Sequence, residues 1–276
     1  MVSMGTVWDR TTEFLSDNLS AITPIAFLSI FLPSALSSSL QPLTAQPGAT
    51  ALAVQFLSLA LMIVTLWGQL AISALSLDPG SGRSAATALA SKRLAPVIGL
   101  LLVLLVGFFV LVMPIPVTLA LAGFSFQAAM SGAPGGGEFA GGIGWFLLLY
   151  SLFFTVVLIW LGARLALVTP VLLKEDGWFG ALARSFRLTR PITLKIVGVA
   201  ILYLIVWGVS VLAANLVFGS IFRLIGWGSG PVTIGSVLTA ALVSVVATAF
   251  SVLASAFIGR LYLAVRDARE AIVDSL

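Results

Sequence analysis

PVIGLLLVLLVGFFVLVMPIPVTLALA, residues 96–122, carries no ionisable side chain. It exceeds the roughly 20 apolar residues that take a helix across a bilayer. Similar runs at about 21–40, 50–77, 145–173, 192–218 and 231–264 bring the expected number of spans to six. The first holds Pro24 and Pro33 and trails into Ser37, Ser38 and Ser39, so a kink is expected there. The whole chain agrees with its most apolar run: of 276 residues, 60% are hydrophobic and 9% charged. Soluble domains carry about 25% charged residues. Residues 1–276 are therefore expected to form one all-α integral membrane domain.

Basic residues set the expected orientation. Arg10 precedes the first span; Arg83, Lys92 and Arg93 lie in one connection; Lys174, Arg184, Arg187, Arg190 and Lys195 lie in another; Arg266 and Arg269 close the chain. The opposite connections, around 41–49, 123–144 and 219–230, hold only Arg223. The lysine and arginine bias puts both termini and the two basic connections in the cytoplasm. Asp9, Glu13 and Asp17 keep the first twenty residues from reading as a secretory signal.

Self-similarity runs through this layout. Proline opens a span three times after a short amphipathic stretch, as ITPI at Pro24, LAPV at Pro96 and TRPI at Pro191. The first helical turn tolerates its missing N–H. Each partner span ends in a second recurring pattern: GQLAI at Gly68, GARLAL at Gly162 and GRLYL at Gly259. This puts Gln69, Arg164 and Arg260 at equivalent positions. The expected architecture is three tandem parallel-repeat hairpins, with units at about 1–77, 78–173 and 174–276, plus cytoplasmic interfacial amphipathic helices. In the third such helix Asp176 is the expected N-cap, Phe179, Leu182 and Phe186 recur at helical spacing, and the arginines flank them. The second, RSAATALASKRLA, is weaker, and the first gathers Trp8, Leu15 and Leu19 on one face.

The stretch RLALVTPVLLKEDGWFGALARSFRLTRP, from Arg164 to Pro191, resembles the signature of the bacterial membrane-domain family named after glycerophosphoryl diester phosphodiesterase. The features that carry it are Arg164, Pro170, Glu175, Ala181, Arg184, Ser185, Arg187, Leu188 and Thr189, together with the tail RLYLAVRDAREA from Arg260. The resemblance implies a six-span inner membrane protein. It implies no phosphodiesterase activity, which in fused relatives belongs to a separate soluble domain.

The absence of histidine and cysteine removes thiolate nucleophiles, soft-metal sites and the usual neutral-pH proton shuttle. The acidic residues fall in expected connections and termini, so neither a metal site nor a carboxylate relay has its parts within the spans. No catalytic residue, cofactor or nucleic-acid partner is expected. Arg164 and Arg260 are the informative single residues, because arginine at mid-membrane costs about 3 kcal/mol on insertion scales. They either snorkel to headgroups or line an inner vestibule, holding lipid phosphate or a carboxylate such as Glu175 or Asp267. With Lys174, Arg184, Arg187, Arg190, Lys195 and Arg266 they form the expected contact for anionic lipid or a partner membrane protein. The alternative for the cluster is a positive-inside connection with no ligand. Ala247, Ser251, Ser255 and Gly259 recur every four residues in the sixth span, as do Ser236, Ala240, Ser244 and Thr248; close helix packing is expected there, with that span central. The leading expectation is a non-catalytic protein organising lipid or a partner. The alternative is a transporter or channel for a lipid-like or anionic solute, which needs a polar cavity along the axis.

Overall fold

The computed structural model describes residues 3–45, 48–130, 142–174, 178–225 and 232–273. Glu175, Asp176 and the glycine-rich runs at 133–138 and 226–230 fall outside these, as do the side chains of Phe179 and Arg223. Among the described residues every regular element is helical. Six stretches are long and apolar enough to cross a membrane: Leu19–Ala45, Ala49–Leu77, Pro79–Leu121, Gly142–Lys174, Gly180–Phe222 and Ile234–Glu270.

Prolines mark these stretches, and the helix yields at some of them only; Pro24, expected to open the first span, lies inside the helix Leu19–Ala26. The Pro33 ring crowds the carbonyl of Ser29, four residues back. The first span answers with a π-helical turn, Phe27–Phe31, in which the N–H of Leu32 reaches the carbonyl of Phe27. Pro170 crowds the carbonyl of Ala166 in the same way, and the fourth span stops at Leu165, turns, and resumes as Val168–Lys174. Pro191 sits in a short 3-10 turn, Arg190–Ile192, between the helix Trp178–Thr189 and the fifth span. Pro96 does not open its span. One helix, Gly82–Val112, runs through it, so the second amphipathic stretch and the third span are continuous. Membrane helices tolerate such a proline because neighbouring groups satisfy the freed backbone.

The buried core gathers at the end of the bundle that carries the 78–92 and 174–195 segments, called the basal end below. Every residue from 70 to 77 of the second span is buried. Around it pack Val7 and Phe14 of the helix Met4–Asp17, Ile25 and Ile30 of the first span, Ala86 and Ala90, Leu167 and Val171, and Leu261 and Val265. Lipid tails are as apolar as leucine, so helices meet in a membrane by close steric fit. Glycine supplies that fit twice: a methyl on Gly68 would collide with Ser29, and one on Gly259 with Ser76. The sixth span touches the first, second and fifth spans and the helix Met4–Asp17. The fully enclosed stretch, however, is residues 70–77 of the second span.

Away from the basal end the packing differs between pairs. The fifth and sixth spans stay together, with Tyr203 donating to the carbonyl of Phe250 at 3.0 Å and Gly219 close to Thr239. The third and fourth spans hold each other through Tyr150, which donates to the carbonyl of Leu111 at 2.6 Å, and through Phe108 and Phe154, whose ring centres lie 5.9 Å apart. Yet the third span buries no side chain beyond Leu100, and the fourth none before Ala163. This outer part of the hairpin shows only lipid-compatible surface.

Candidate functional site

Two features stand out: a cationic surface at the basal end and a neutral polar cavity within the bundle.

The surface begins with the break after Leu165. A helix end leaves carbonyls without partners, and the carbonyl of Arg164 is taken by the hydroxyl of Ser185 at 2.7 Å; the hydroxyl of Thr189, which donates to the carbonyl of Ser185 at 2.8 Å, lies 3.4 Å away. Both hydroxyls are fully buried. The Arg164 side chain completes the joint: its Nη1 donates to the carbonyl of Phe186 at 3.0 Å, and its guanidinium lies 5.3 Å from the Trp160 ring centre and 6.0 Å from that of Phe186. The arginine thus clamps the helix Trp178–Thr189 onto the bundle by hydrogen bond and cation–π contact. Ala181, Ser185, Leu188 and Thr189 form its protein-facing side. Ser185→Ala, which strips a buried carbonyl of its closer donor, is expected to cost about 1–3 kcal/mol in thermal or denaturant unfolding. A variant as stable as the parent would show that the joint rests on other contacts.

Arg260 uses the same chemistry on another helix. Its guanidinium lies 4.7 Å from the ring centre of Phe14, which is buried beneath the helix Met4–Asp17. That helix turns Val7, Thr11 and Phe14 inward against the protein, and the Trp8, Leu15 and Leu19 face lies to the side of this stripe. Trp8 and Leu19 point outward and Leu15 is half-buried. Van der Waals fit against the sixth span selects the narrower Val-Thr-Phe stripe and leaves the bulky indole for the surroundings.

The remaining basic residues sort by partner. Arg266 pairs with Asp267 and Glu270, each at 3.4 Å. Arg269 donates to the carbonyl of Arg187, tying the sixth span to the clamped helix. Arg184 and Lys195 are engaged by other groups. Lys174, Arg187 and Arg190 are exposed and form no ion pair with a described residue. No group of three or more carboxylates that could hold a metal ion occurs among the described residues.

The cavity has a volume of about 230 Å³. Gln69, Ser73 and Leu70 of the second span, Thr169 of the segment Val168–Lys174, Tyr203 of the fifth span and Ser251, Ser255 and Ile258 of the sixth are among its lining. Within it Ser73 donates to the carbonyl of Ser255 at 3.3 Å and Ser255 to that of Ser251 at 2.8 Å. The side chains of Gln69, Thr169 and Ser251 bond to no described residue. Among the described residues none that lines the space is charged. The neighbours of Thr169 along the chain, Val168, Pro170, Val171 and Leu172, are buried. The small-residue row of the sixth span thus has two duties: Gly259 meets Ser76, while Ser251 and Ser255 face the cavity and Ala247 stays half-buried. Ser73, Thr169 and Tyr203 escaped the sequence reading; their common signal is a neutral polar group inside an apolar run. A wider hollow of about 460 Å³, lined by Ser37, Ser38, Gln41, Thr44, Gln55 and Ser58, lies at the far end and is largely exposed.

No family model, curated protein or solved structure matches this chain, and the resemblance carried by the stretch from Arg164 to Pro191 rests on those residues alone.

Proposed function

We propose that this is a non-catalytic, multi-pass protein of the bacterial inner membrane that binds anionic lipid headgroups at its basal end and so organises lipid or a partner membrane protein. The observation that carries the reading is the trio Lys174, Arg187 and Arg190, exposed and without a carboxylate partner among the described residues, beside a clamped helix. A negative surface supplies the missing countercharge, worth about 1 kcal/mol per basic residue. The lysine and arginine bias puts that end, with both termini, in the cytoplasm. Outward Trp8 and Leu19 suit a helix lying in the interface.

Three tandem hairpins related by an axis near the membrane normal fit the same picture. The inward span of each unit ends against the amphipathic segment of the next: Trp67 donates to Ser91 at 2.9 Å, the carbonyl of Arg164 accepts from Ser185, and Arg260 covers Phe14, which closes the ring. The reading assigns no reaction. Hydroxyls within the spans, such as those of Ser76 and Thr248, bond to backbone carbonyls of their own helix, and an activated serine needs an adjacent base.

The test compares phospholipid retained by the purified parent and by the double variant Arg187→Gln, Arg190→Gln. Two lost charges at about 1 kcal/mol each weaken anionic lipid binding roughly thirtyfold. Unchanged anionic retention would refute the headgroup role. A second reading, passage of a lipid-like solute, is favoured by the polar cavity; an anionic solute would meet no cation there.

A further inference from the structure

We infer that the central cavity holds the uncharged, hydroxyl-bearing headgroup of a membrane lipid, at a site separate from the basal cations. Among the described residues the lining offers hydrogen bonds and no charge. Gln69 presents two N–H donors and a carbonyl acceptor, and Thr169 and Ser251 present hydroxyls that serve as either. None of the three bonds to a described residue. Polar groups held inside an apolar bundle are costly until they find partners. An ionised phosphate or ammonium would enter without a countercharge and lose its hydration, whereas a glycerol-type hydroxyl exchanges hydrogen bonds one for one.

The lining also favours a ligand with acyl chains. Its described residues come from the second, fifth and sixth spans and, with Thr169, from the segment Val168–Lys174. Beside the polar groups stand Leu66, Leu70, Ala254 and Ile258, apolar surface of the kind acyl chains cover.

The experiment follows the thermal midpoint of the full chain in detergent during titration with dioctanoylglycerol, dioctanoyl phosphatidic acid or glycerol. Dioctanoylglycerol is expected to raise the midpoint saturably, and glycerol, without chains, to leave it unmoved at the same concentration. In Gln69→Leu the apparent affinity for dioctanoylglycerol falls about tenfold, the effect of one lost buried hydrogen bond. The midpoint without lipid stays equal or rises in that variant, because an unpartnered amide has been removed. Ser251→Ala repeats the loss at a second position. No shift with dioctanoylglycerol, an equal shift with glycerol, or a lower lipid-free midpoint in Gln69→Leu each overturns the inference. So does a phosphatidic acid effect that matches dioctanoylglycerol and survives Arg187→Gln, Arg190→Gln. Loss of phosphatidic acid binding in that double variant, with the dioctanoylglycerol shift intact, separates this site from the basal surface.

Discussion

Gly259→Val lowers the stability of the detergent-solubilised chain by about 3 kcal/mol, at the upper end of the cost of overpacking a tight contact. A side chain there meets the hydroxyl of Ser76 at once, then Ser76 Cβ at 3.1 Å and the carbonyl of Ser73 at 3.4 Å. Ser76 is fully buried, and its hydroxyl donates to Ser73 at 2.8 Å, so it cannot move aside without losing that bond. The contact lies where the second and sixth spans join. Gly162 supplies the control: a methyl there has nothing within 4 Å. Gly162→Ala is therefore neutral or stabilising by up to about 1 kcal/mol, the helical advantage of alanine. Thermal unfolding of Gly259→Val, Gly162→Ala and the pair Gly259→Ala, Ser76→Gly decides the matter. Equal midpoints for the two single variants, or no recovery in the pair relative to Gly259→Ala alone, would remove the steric argument.

Arg164→Leu releases the helix Trp178–Thr189. The substitution keeps the backbone carbonyl that Ser185 addresses but deletes the hydrogen bond to the Phe186 carbonyl and the cation–π contact with the Phe186 ring; the contact with Trp160 lies within the helix of Arg164 itself. The two contacts that reach the clamped helix are worth about 2 kcal/mol. Local opening free energy sets amide exchange. Hydrogen exchange over residues 180–189 accordingly accelerates about thirtyfold, while residues 70–77 stay protected. Arg164→Lys recovers only a fraction, since a compact ammonium has neither the planar face for Phe186 nor the fork geometry. Exchange that stays at the parent rate would show that Ser185 and Thr189 alone hold the helix.

The spans were legible because a run such as 96–122 has one solvent it can tolerate. The roles of Arg164 and Arg260 were half legible. Their depth signals that something compensates, by snorkelling or in a vestibule, and the structure sets Arg164 against Trp160 of its own helix and Phe186 of another, and Arg260 against Phe14 of the helix Met4–Asp17. Sequence spacing does not say which neighbour will lie above a side chain. Pro96 misled because a proline in a membrane helix reads as a start, although the surrounding protein lets the helix continue. The cavity was hidden for a different reason. Gln69 entered through its repeat position and Ser251 and Ser255 through small size, while Ser73, Thr169 and Tyr203 each look unremarkable within their spans. Only the fold brings the six together.

The hairpin of the third and fourth spans has its outermost fully buried side chains at Leu100 and Ala163, with Leu104 half-buried against the core and the fourth span touching the fifth. Mechanically it resembles a cantilever. About 20 residues of helix give an arm of about 30 Å, and a tilt of about 10° at the root carries its tip about 5 Å sideways. That swing displaces no fully buried side chain of the hairpin, so the lateral pressure of the surrounding bilayer acts on a long arm with leverage at its root.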